Sequence, residues 1–471
     1  MSQWNSDRDR RLFSRALAVV AITVLVSGCQ AHNSANAPGP CASLATPADC
    51  TVTGSLPDDP APDRDYARYP DTSDLEDEAT IVEGNPTVEA ARQAIPIADG
   101  EVSKAWAGIG PRVSATGSVD WQDEANAGPG STAKDGQSIG VKASLPIRDS
   151  LFGRPKVRSA RASARAAALG FKSDEQDVIL EMAQILAQIE RDRAVLKALD
   201  QHIARLNGLL RDARDRAHTG DMSATDVSQI RLKVVSARAD RADAEASLAE
   251  SLSRLPTVIG SSGEATLRDV SRVLPGSQAA IVSAALANSP GLLAAREEET
   301  AAQEQLSASR REFLPEVNLN ATAARRYETG NRAGDDDLYV GVSIDMPLYD
   351  GGERSADVRQ KEAALRERGY RAQSLERATA ARVKADWAKR QSARSKLALS
   401  SERIAAARAA LDGVGKARLI GARTIEDELN AASDLLTAII SRSEAKKALV
   451  LAEHRLAAEA GVLSAAYRVN G

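Results

Sequence analysis

The chain states one pattern twice. Pro86 and Pro111 stand 25 residues apart, as do Pro290 and Pro315, and at the offset of 204 that relates them Ala90, Ala91 and Arg92 fall on Ala294, Ala295 and Arg296. Downstream the offset settles near 201: Pro146 meets Pro347, Gly220 meets Gly421, Asp226 meets Asp427, Leu248 meets Leu449 and Leu255 meets Leu456. A period near 200 residues is far too long for a solenoid unit, so the molecule is a duplicated half rather than an array. Whatever architecture serves one half must serve the other.

Each half changes its hydrophobic period in the same order. Val113, Ala115, Gly117, Val119 and Trp121 alternate with Ser114, Thr116, Ser118 and Asp120, and Ile139, Val141, Ala143 and Leu145 repeat the alternation. A period of two with one apolar and one polar face predicts strands over 112–121 and 138–146. Val317, Leu319 and Ala321, then Val340, Val342, Ile344 and Met346, predict their counterparts over 316–324 and 338–347. Polar loops rich in Gly and Asp, 122–138 and 325–337, join each pair.

After each strand pair proline disappears: none occurs from Lys156 to Leu255 or beyond Pro347. These stretches predict long helices over 154–218 and 353–419, broken at Gly220 and Gly421, with return helices over 223–255 and 424–460 capped by Ser223 and Thr424. A single helix over 154–218 would be about 98 Å long, whereas its return would reach only about 50 Å. The helix preceding each strand pair, 87–109 or 291–313, supplies the missing length if it stacks end to end on the return helix. The half-repeats accordingly span 85–260 and 289–465, separated by an equatorial linker at 261–288 and followed by a short tail at 466–471.

The first segment sets the compartment. Arg8, Arg10, Arg11 and Arg15 precede an apolar run from Ala16 to Val26, and about 16 Å of helix is too short to cross a bilayer, so 1–28 reads as a secretory signal. The run ends in Val26-Ser27-Gly28-Cys29, which resembles a bacterial lipobox and makes Cys29 the expected lipidated first residue of the mature chain. Gln30 follows, the outer-membrane default in that lipoprotein family. Residues 30–84 hold seven of the 18 prolines and no sustained apolar period, as expected of a flexible periplasmic tail over 29–84. Cys41 and Cys50 lie in it, and an oxidising periplasm permits, without requiring, a disulfide between them.

Composition narrows the function. Lys and Arg number 61 against 65 Asp and Glu, a net charge of -4 that excludes nucleic-acid binding through a general basic surface. Hydrophobic residues make up 43% but aromatics only 3%, so Ala, Val and Leu carry the apolar share, as in long helices packed through narrow stripes. Three Cys and four scattered His offer no ligand set for a metal, and no cofactor is expected. Gly136-Gln137-Ser138-Ile139-Gly140 matches a nucleophile-elbow pattern but precedes a strand where that chemistry needs a helix. Asp335-Asp336-Asp337 reads as a solvated acidic loop rather than a calcium site. Gly415-Lys416-Ala417 lacks the spacing of a phosphate loop. An enzyme is not expected.

Four isolated strands cannot close a barrel that encloses anything, and an open sheet with an apolar outer face would leave edges unpaired in lipid. Three chains would give 12 strands, apolar outside and polar inside, as in outer-membrane barrels. Trp106, Trp121, Phe152, Phe313, Tyr327, Tyr339 and Tyr349 flank the strands, where interfacial girdles form.

Phe313-Leu314-Pro315 enters a strand, Met346-Pro347-Leu348-Tyr349-Asp350-Gly351-Gly352 leaves one, Gly421-Ala422-Arg423-Thr424-Ile425-Glu426-Asp427 forms a hairpin tip, and Gly220 with Thr225-Asp226-Val227 forms its twin. With the lipobox and the doubled order of elements, these motifs resemble the TolC family of outer-membrane export ducts over about residues 85–465. The resemblance implies an α+β membrane protein and a homotrimer. Four strands per chain would enter a 12-stranded barrel in outer-membrane lipid, and long antiparallel helical hairpins would form an α-barrel across the periplasm. It implies a passive duct of a tripartite efflux pump or type I secretion system, working with a periplasmic adaptor and an inner-membrane pump or ABC exporter. Adaptor contact would fall on the tips around Gly220 and Gly421. At the entrance, Asp427 matches the family's acidic ring, and Arg423 matches the cation that links to a neighbouring chain, here at Thr225 and Asp226. Asn430 stands where a second Asp is expected, leaving a single ring of three carboxylates. Like charges in such a throat attract polyvalent cations and raise one another's pKa, while the same Asp residues would also suit helix N-termini. The competing reading is a lipid-anchored periplasmic coiled-coil adaptor or scaffold, which explains the helices and lipobox but not the four amphipathic strands.

Overall fold

The computed structural model describes residues 84–120, 136–259, 265–328 and 331–467. Cys29, Cys41, Cys50 and Trp121, together with the signal segment and most of the tail after it, lie outside the described residues.

In chain order the elements are α1 (Pro86–Ile109), β1 (Arg112–Asp120), β2 (Gly136–Pro146), the short α2 (Ile147–Phe152), α3 (Arg154–Thr219) and α4 (Ala224–Ile259). The second half follows with α5 (Gln278–Asn288), α6 (Pro290–Arg311), β3 (Glu316–Glu328), β4 (Asn331–Asp345), α7 (Glu353–Leu419), α8 (Ile425–Glu459) and the single turn α9 (Leu463–Ala466). The four strands form one antiparallel sheet in the order β1-β2-β3-β4.

The long helices α3 and α7, of 66 and 67 residues, reach about 100 Å each. α4 folds back on α3 and α8 on α7, and α8 also packs on α3, so the two hairpins lie side by side. Nearer the sheet, α1 packs on α3 and α6 packs between α3 and α7. The seam of the second hairpin is narrow. α8 buries Ala431, Ala438, Ala445 and Ala452 at seven-residue intervals, and α7 buries Ala372, Thr379, Asp386, Ala393 and Ser400 at the same interval. Small residues on a heptad repeat let two helices run close together over many turns, which is why alanine rather than aromatic residues fills this chain.

The two short helices of each half do stack end to end. Asn85 accepts from the Thr87 amide at 2.8 Å, capping α1, while its Nδ2 donates to the Val258 carbonyl at 2.7 Å in the last turn of α4. The carbonyl end of one helix therefore meets the amide end of the other, the favourable order of their dipoles. In the second half Gly461 (φ +74°), just after α8, comes so close to Asn288 before α6 that a Cβ on it would lie 2.5 Å from the Asn288 carbonyl oxygen. The largest apolar cluster surrounds the first joint, with Val88, Ile179, Met182, Val258, Ile259, Leu463 and Tyr467 all buried.

Several boundaries differ from expectation. The loop expected at 325–337 is mostly sheet: β3 runs on to Glu328 and β4 begins at Asn331, because Arg325 and Asp336 face each other across the ladder in a two-pronged ion pair of 2.6 and 3.0 Å. β2 begins at Gly136 rather than 138, and β4 ends at Asp345 before Met346 and Pro347. α4 continues through Pro256 to Ile259, although proline has no amide to give the Leu252 carbonyl four residues back. The linker expected at 261–288 contains α5, which Ser277 caps at Ala280. The tail expected over 466–471 holds a fully buried side chain, Tyr467.

Candidate functional site

Two regions carry the expected functional residues: the sheet, and the hairpin tips at the other end of α3 and α7.

The strand register sorts the sheet into two faces. Val113 pairs with Ala143, Ala115 with Val141, Ala143 with Ala321, Leu145 with Leu319, Leu319 with Val342, Ala321 with Val340 and Val317 with Ile344. Directly paired residues project to the same side, so these form one apolar face, which at its far end gives way to Gln137 opposite Val119 and to the Arg325–Asp336 pair beside Ile139. Ser114, Thr116, Ser118, Ser138, Lys142, Asn318, Asn320, Thr322 and Ser343 form the other. On that polar face the Ser118 and Ser138 hydroxyls meet at 2.9 Å and Asn320 donates to the Ser343 hydroxyl at 3.1 Å. Val340, Val342 and Ile344 are each more than half exposed, although they are the apolar residues of a regular strand. Ser138, the would-be nucleophile, is an ordinary strand residue of β2.

Tyr339 departs from the expected aromatic girdle. It pairs with Thr322 on the polar face, and its ring lies against Gly341, where a Cβ would meet the phenol oxygen. Phe152, Phe313 and Tyr349 remain exposed at the junction of sheet and helices. That junction is tied by Ser150, whose hydroxyl donates to the Ile109 carbonyl at 2.6 Å, and by Arg311, which donates to the Phe152 carbonyl at 2.8 Å. Trp106 lies under the Arg161 guanidinium at 5.3 Å.

The tips are twins in detail. Gly220 (φ +83°) and Gly421 (φ +78°) both adopt the left-handed conformation that a helix-ending turn needs. At the first tip the Gly220 amide donates to the Ala217 carbonyl at 3.3 Å and Asp221 to Arg216 at 2.8 Å. At the second, Gly421 donates to Arg418 at 3.0 Å and Ala422 to Ala417 at 2.9 Å. The expected caps are in place. The Ser223 hydroxyl accepts from the Asp226 amide at 3.1 Å, and Thr424 and Asp427 form a reciprocal capping box, each side chain accepting from the other's backbone amide.

Within one chain the structure brings Arg423 to Asp427, with Nη1 and Oδ1 4.0 Å apart. Thr225 is exposed and Asp226 half-buried in the first turn of α4. Thr424 holds Asp427 below the ordinary carboxylate range, first through its backbone amide and then through its hydroxyl. Asn430 is exposed one turn further along α8.

A charged cluster that the sequence reading did not single out lies one turn behind the second tip. Arg418 Nε donates to Glu428, its Nη2 lies 3.2 Å from Asp212 of α3, and Asp212 also takes Arg216 at 3.3 Å. The side chains of Arg418 and Glu428 are each only 10% exposed. The signal was present in the duplication: at the offset of 201, Arg418, Glu428 and Gly413 answer to Ala217, Val227 and Asp212. A charge appears in one half where the other has an apolar residue.

Among the described residues no group of three or more His, Cys, Asp or Glu is placed to hold a metal, and no single helix is long and apolar enough to cross a membrane.

The chain is similar to known proteins over most of its length. A protein-family model described as "Outer membrane efflux protein" matches residues 80–261 and 281–462, the two halves of the duplication. The outer membrane efflux protein BepC of Brucella suis is 27% identical over 390 residues, covering 81% of this chain and 83% of that one. The outer membrane protein TolC of Vibrio cholerae is 25% identical over 321 residues, covering 65% of this chain and 72% of that one. In three dimensions CusC, whose crystal structures concern transmembrane channel formation, superposes with a TM-score of 0.73 over 81% of this chain and 90% of its own, at 18% identity.

Proposed function

The chain belongs to the outer membrane efflux protein family, and we propose that three copies of it close into one passive duct that carries solutes through the outer membrane and across the periplasm. The observation that carries this reading is the open sheet with its apolar face. β1 and β4 are both edge strands, and four antiparallel strands end with β4 running opposite to β1. The β4 edge of one copy can therefore pair with the β1 edge of the next without breaking the antiparallel order. Two copies would give eight strands, whose interior side chains fill the bore, and three is the smallest number that leaves a polar lumen. Closure also removes both edges, which no membrane tolerates unpaired. A periplasmic scaffold would gain nothing from an exposed row of Val, Leu and Ile on a sheet.

The hairpins then form the periplasmic tunnel, with the tips around Gly220 and Gly421 at its inner entrance, where a periplasmic adaptor joins the duct to an inner-membrane pump or ABC exporter. At that entrance Arg423 links to Thr225 and Asp226 of the adjacent copy, and three Asp427 carboxylates line the throat. Cys29 carries the lipid, a second hold on the membrane beside the barrel.

Gel migration and planar bilayers test the reading together. Purified protein should run as a trimer in detergent without boiling, as a monomer after it, and should insert into planar bilayers as a pore. A monomeric protein that fractionates with the periplasm would overturn it.

A further inference from the structure

We infer that the groove over the outward side of α8, walled by α3 and α7, is a docking site for the cell wall, whose peptide stems offer carboxylates to Lys197, Arg408 and Arg442. The inference rests on the duct proposed above, which has to pass through the wall to cross the periplasm.

The groove lies on the side of α7 that α5 covers nearer the sheet. Ile281 and Ala285 of α5 are buried in one cluster with Val383 of α7 and Leu456 of α8. Val383, Arg390, Leu397 and Ile404 recur every seven residues along α7, a spacing that keeps them on one side of the helix. Leu397 and Ile404 line the groove. Three copies of α5 inside the bore would obstruct it, so the side that α5 covers is the outside, and the groove continues that side towards the tips. It runs along α7 from Leu397 to Arg408, about 65 to 80 Å from the start of that helix at Glu353.

The lining is basic. Lys197 of α3, Arg408 of α7, and Arg442 and Lys446 of α8 stand around small and aliphatic side chains such as Ala198 and Ile439, and none of the described residues lining the groove is acidic. Lys446 is held by Glu190 at 2.8 Å, whereas Lys197, Arg408 and Arg442 are exposed and have no acidic partner among the described residues. The duplication supplies a control. At the offset of 201 the four positions answer to Ala398, Asn207, Arg241 and Glu245. The one cation kept there is neutralised within the chain, since Arg241 donates to Asp200 at 2.7 Å and to Glu245 at 2.8 Å. Helices of common origin therefore carry a balanced surface in one half and three unanswered cations in the other. Clustered like charges repel one another, and a polyanion laid across them removes that cost. The wall is a polymer of carboxylate-bearing peptides that meets the outward side of every copy, and the groove stands back from the tips where the adaptor joins.

Co-sedimentation of the full-length protein in detergent with isolated peptidoglycan sacculi tests the groove. Wild type should sediment with the sacculi at about 0.05 M NaCl and leave them at about 0.5 M, because exposed ion pairs are screened. The triple variant Lys197→Gln, Arg408→Gln, Arg442→Gln should bind about tenfold more weakly or worse, as three modest contacts are lost from each of three copies. Amidating the carboxylates of the sacculi should weaken wild type to the same level. Arg442→Gln alone should weaken binding, whereas its twin Arg241→Gln should not, because Arg241 is already neutralised. The trimer band on gels and the pore in planar bilayers should persist in every variant. Wild type that stays in the supernatant would overturn the docking site while the duct stands, as would amidated sacculi that hold wild type as well as untreated ones. A triple variant that sediments like wild type would also overturn it, and loss of a co-purifying periplasmic protein from that variant would give the groove to a protein partner instead. Wild type that forms neither trimer nor pore would overturn the duct, and with it the outward side on which the groove depends.

Discussion

Asn85 Nδ2 donates to the Val258 carbonyl at 2.7 Å, joining helices whose ends lie 173 residues apart in the chain. The same side chain caps α1 through its oxygen, so one amide group welds two helices into a single strut. Asn85→Leu should lower unfolding stability by about 1 to 3 kcal/mol, from the lost cap and the unpaired carbonyl. Asn85→Asp keeps the cap and loses the donor, and should fall between. Denaturant titration of the detergent-solubilised protein measures both, and equal stability in all three proteins would remove Asn85 from the joint.

The register of the sheet makes a second prediction. Val342 lies on the apolar face and Ser343 on the polar one. Val342→Arg should cost about 2 to 4 kcal/mol near the bilayer midplane, whereas Ser343→Arg should assemble almost normally. Trimer yield in outer-membrane fractions compares them, and matching yields would reverse or dissolve the assigned faces.

The entrance is predicted from the tips. Arg423→Ser should raise single-channel conductance, because a hydroxyl cannot replace a guanidinium that bridges to a neighbouring copy. Asp427 needs a gentler change than removal, since its side chain also accepts the Thr424 amide at 3.0 Å. Asp427→Asn keeps an acceptor for that cap and removes the charge, so block by trivalent cations should weaken while conductance changes little. Conductance unaltered in the first variant, together with block unaltered in the second, would reduce both residues to helix capping.

Acid should loosen the C-terminal turn. His454 is 2% exposed; its Nδ1 donates to the Val450 carbonyl at 2.8 Å, which leaves Nε2 to accept from the Tyr467 hydroxyl at 2.8 Å. Burial holds its pKa below the ordinary histidine value, with the Val450 carbonyl opposing. The unfolded chain therefore binds the extra proton first, so stability is lost as pH falls below about 6.5, until the folded pKa is passed. His454→Gln should flatten this part of the stability-pH curve, and Tyr467→Phe should cost about 1 to 2 kcal/mol at pH 7. Parallel curves for wild type and His454→Gln would show that His454 titrates alike in both states.

Lipidation is read directly from labelling. Cys29→Ser should abolish incorporation of labelled fatty acid and slow removal of the signal segment, while the trimer survives on the hold of its barrel. Undiminished labelling would place the lipid elsewhere.

The parts of this structure that were legible in the sequence are those set by short-range pattern. Alternation from Val113 to Val119 gave a strand and its faces, the proline-free stretches gave the long helices, and Gly220 and Gly421 gave their ends. What stayed hidden depends on partners far along the chain. Nothing local extends β3 through Arg325 and Arg326; the carboxylate of Asp336 does, from the neighbouring strand. Tyr339 counts as an interfacial aromatic until the register places it over Gly341 on the polar face. Nothing near Asn85 in the sequence points to the Val258 carbonyl, and nothing near Arg418 points to Asp212 of α3.

The welded struts also fix an order in time. α3 with α4, and α7 with α8, are hairpins of neighbouring sequence and can zip from their turns as soon as they exist. α1 cannot find its continuation until α4 has been made, and Tyr467 closes the same cluster only once α9 has followed α8. A molecule threaded through a membrane from its N-terminus thus exposes β1 and β2 long before their support is finished. The strand edges stay bare through the interval when aggregation is most dangerous. A holding chaperone would have the most to do in that interval, and its footprint should fall on residues 112–146 rather than on the long helices that dominate the finished molecule.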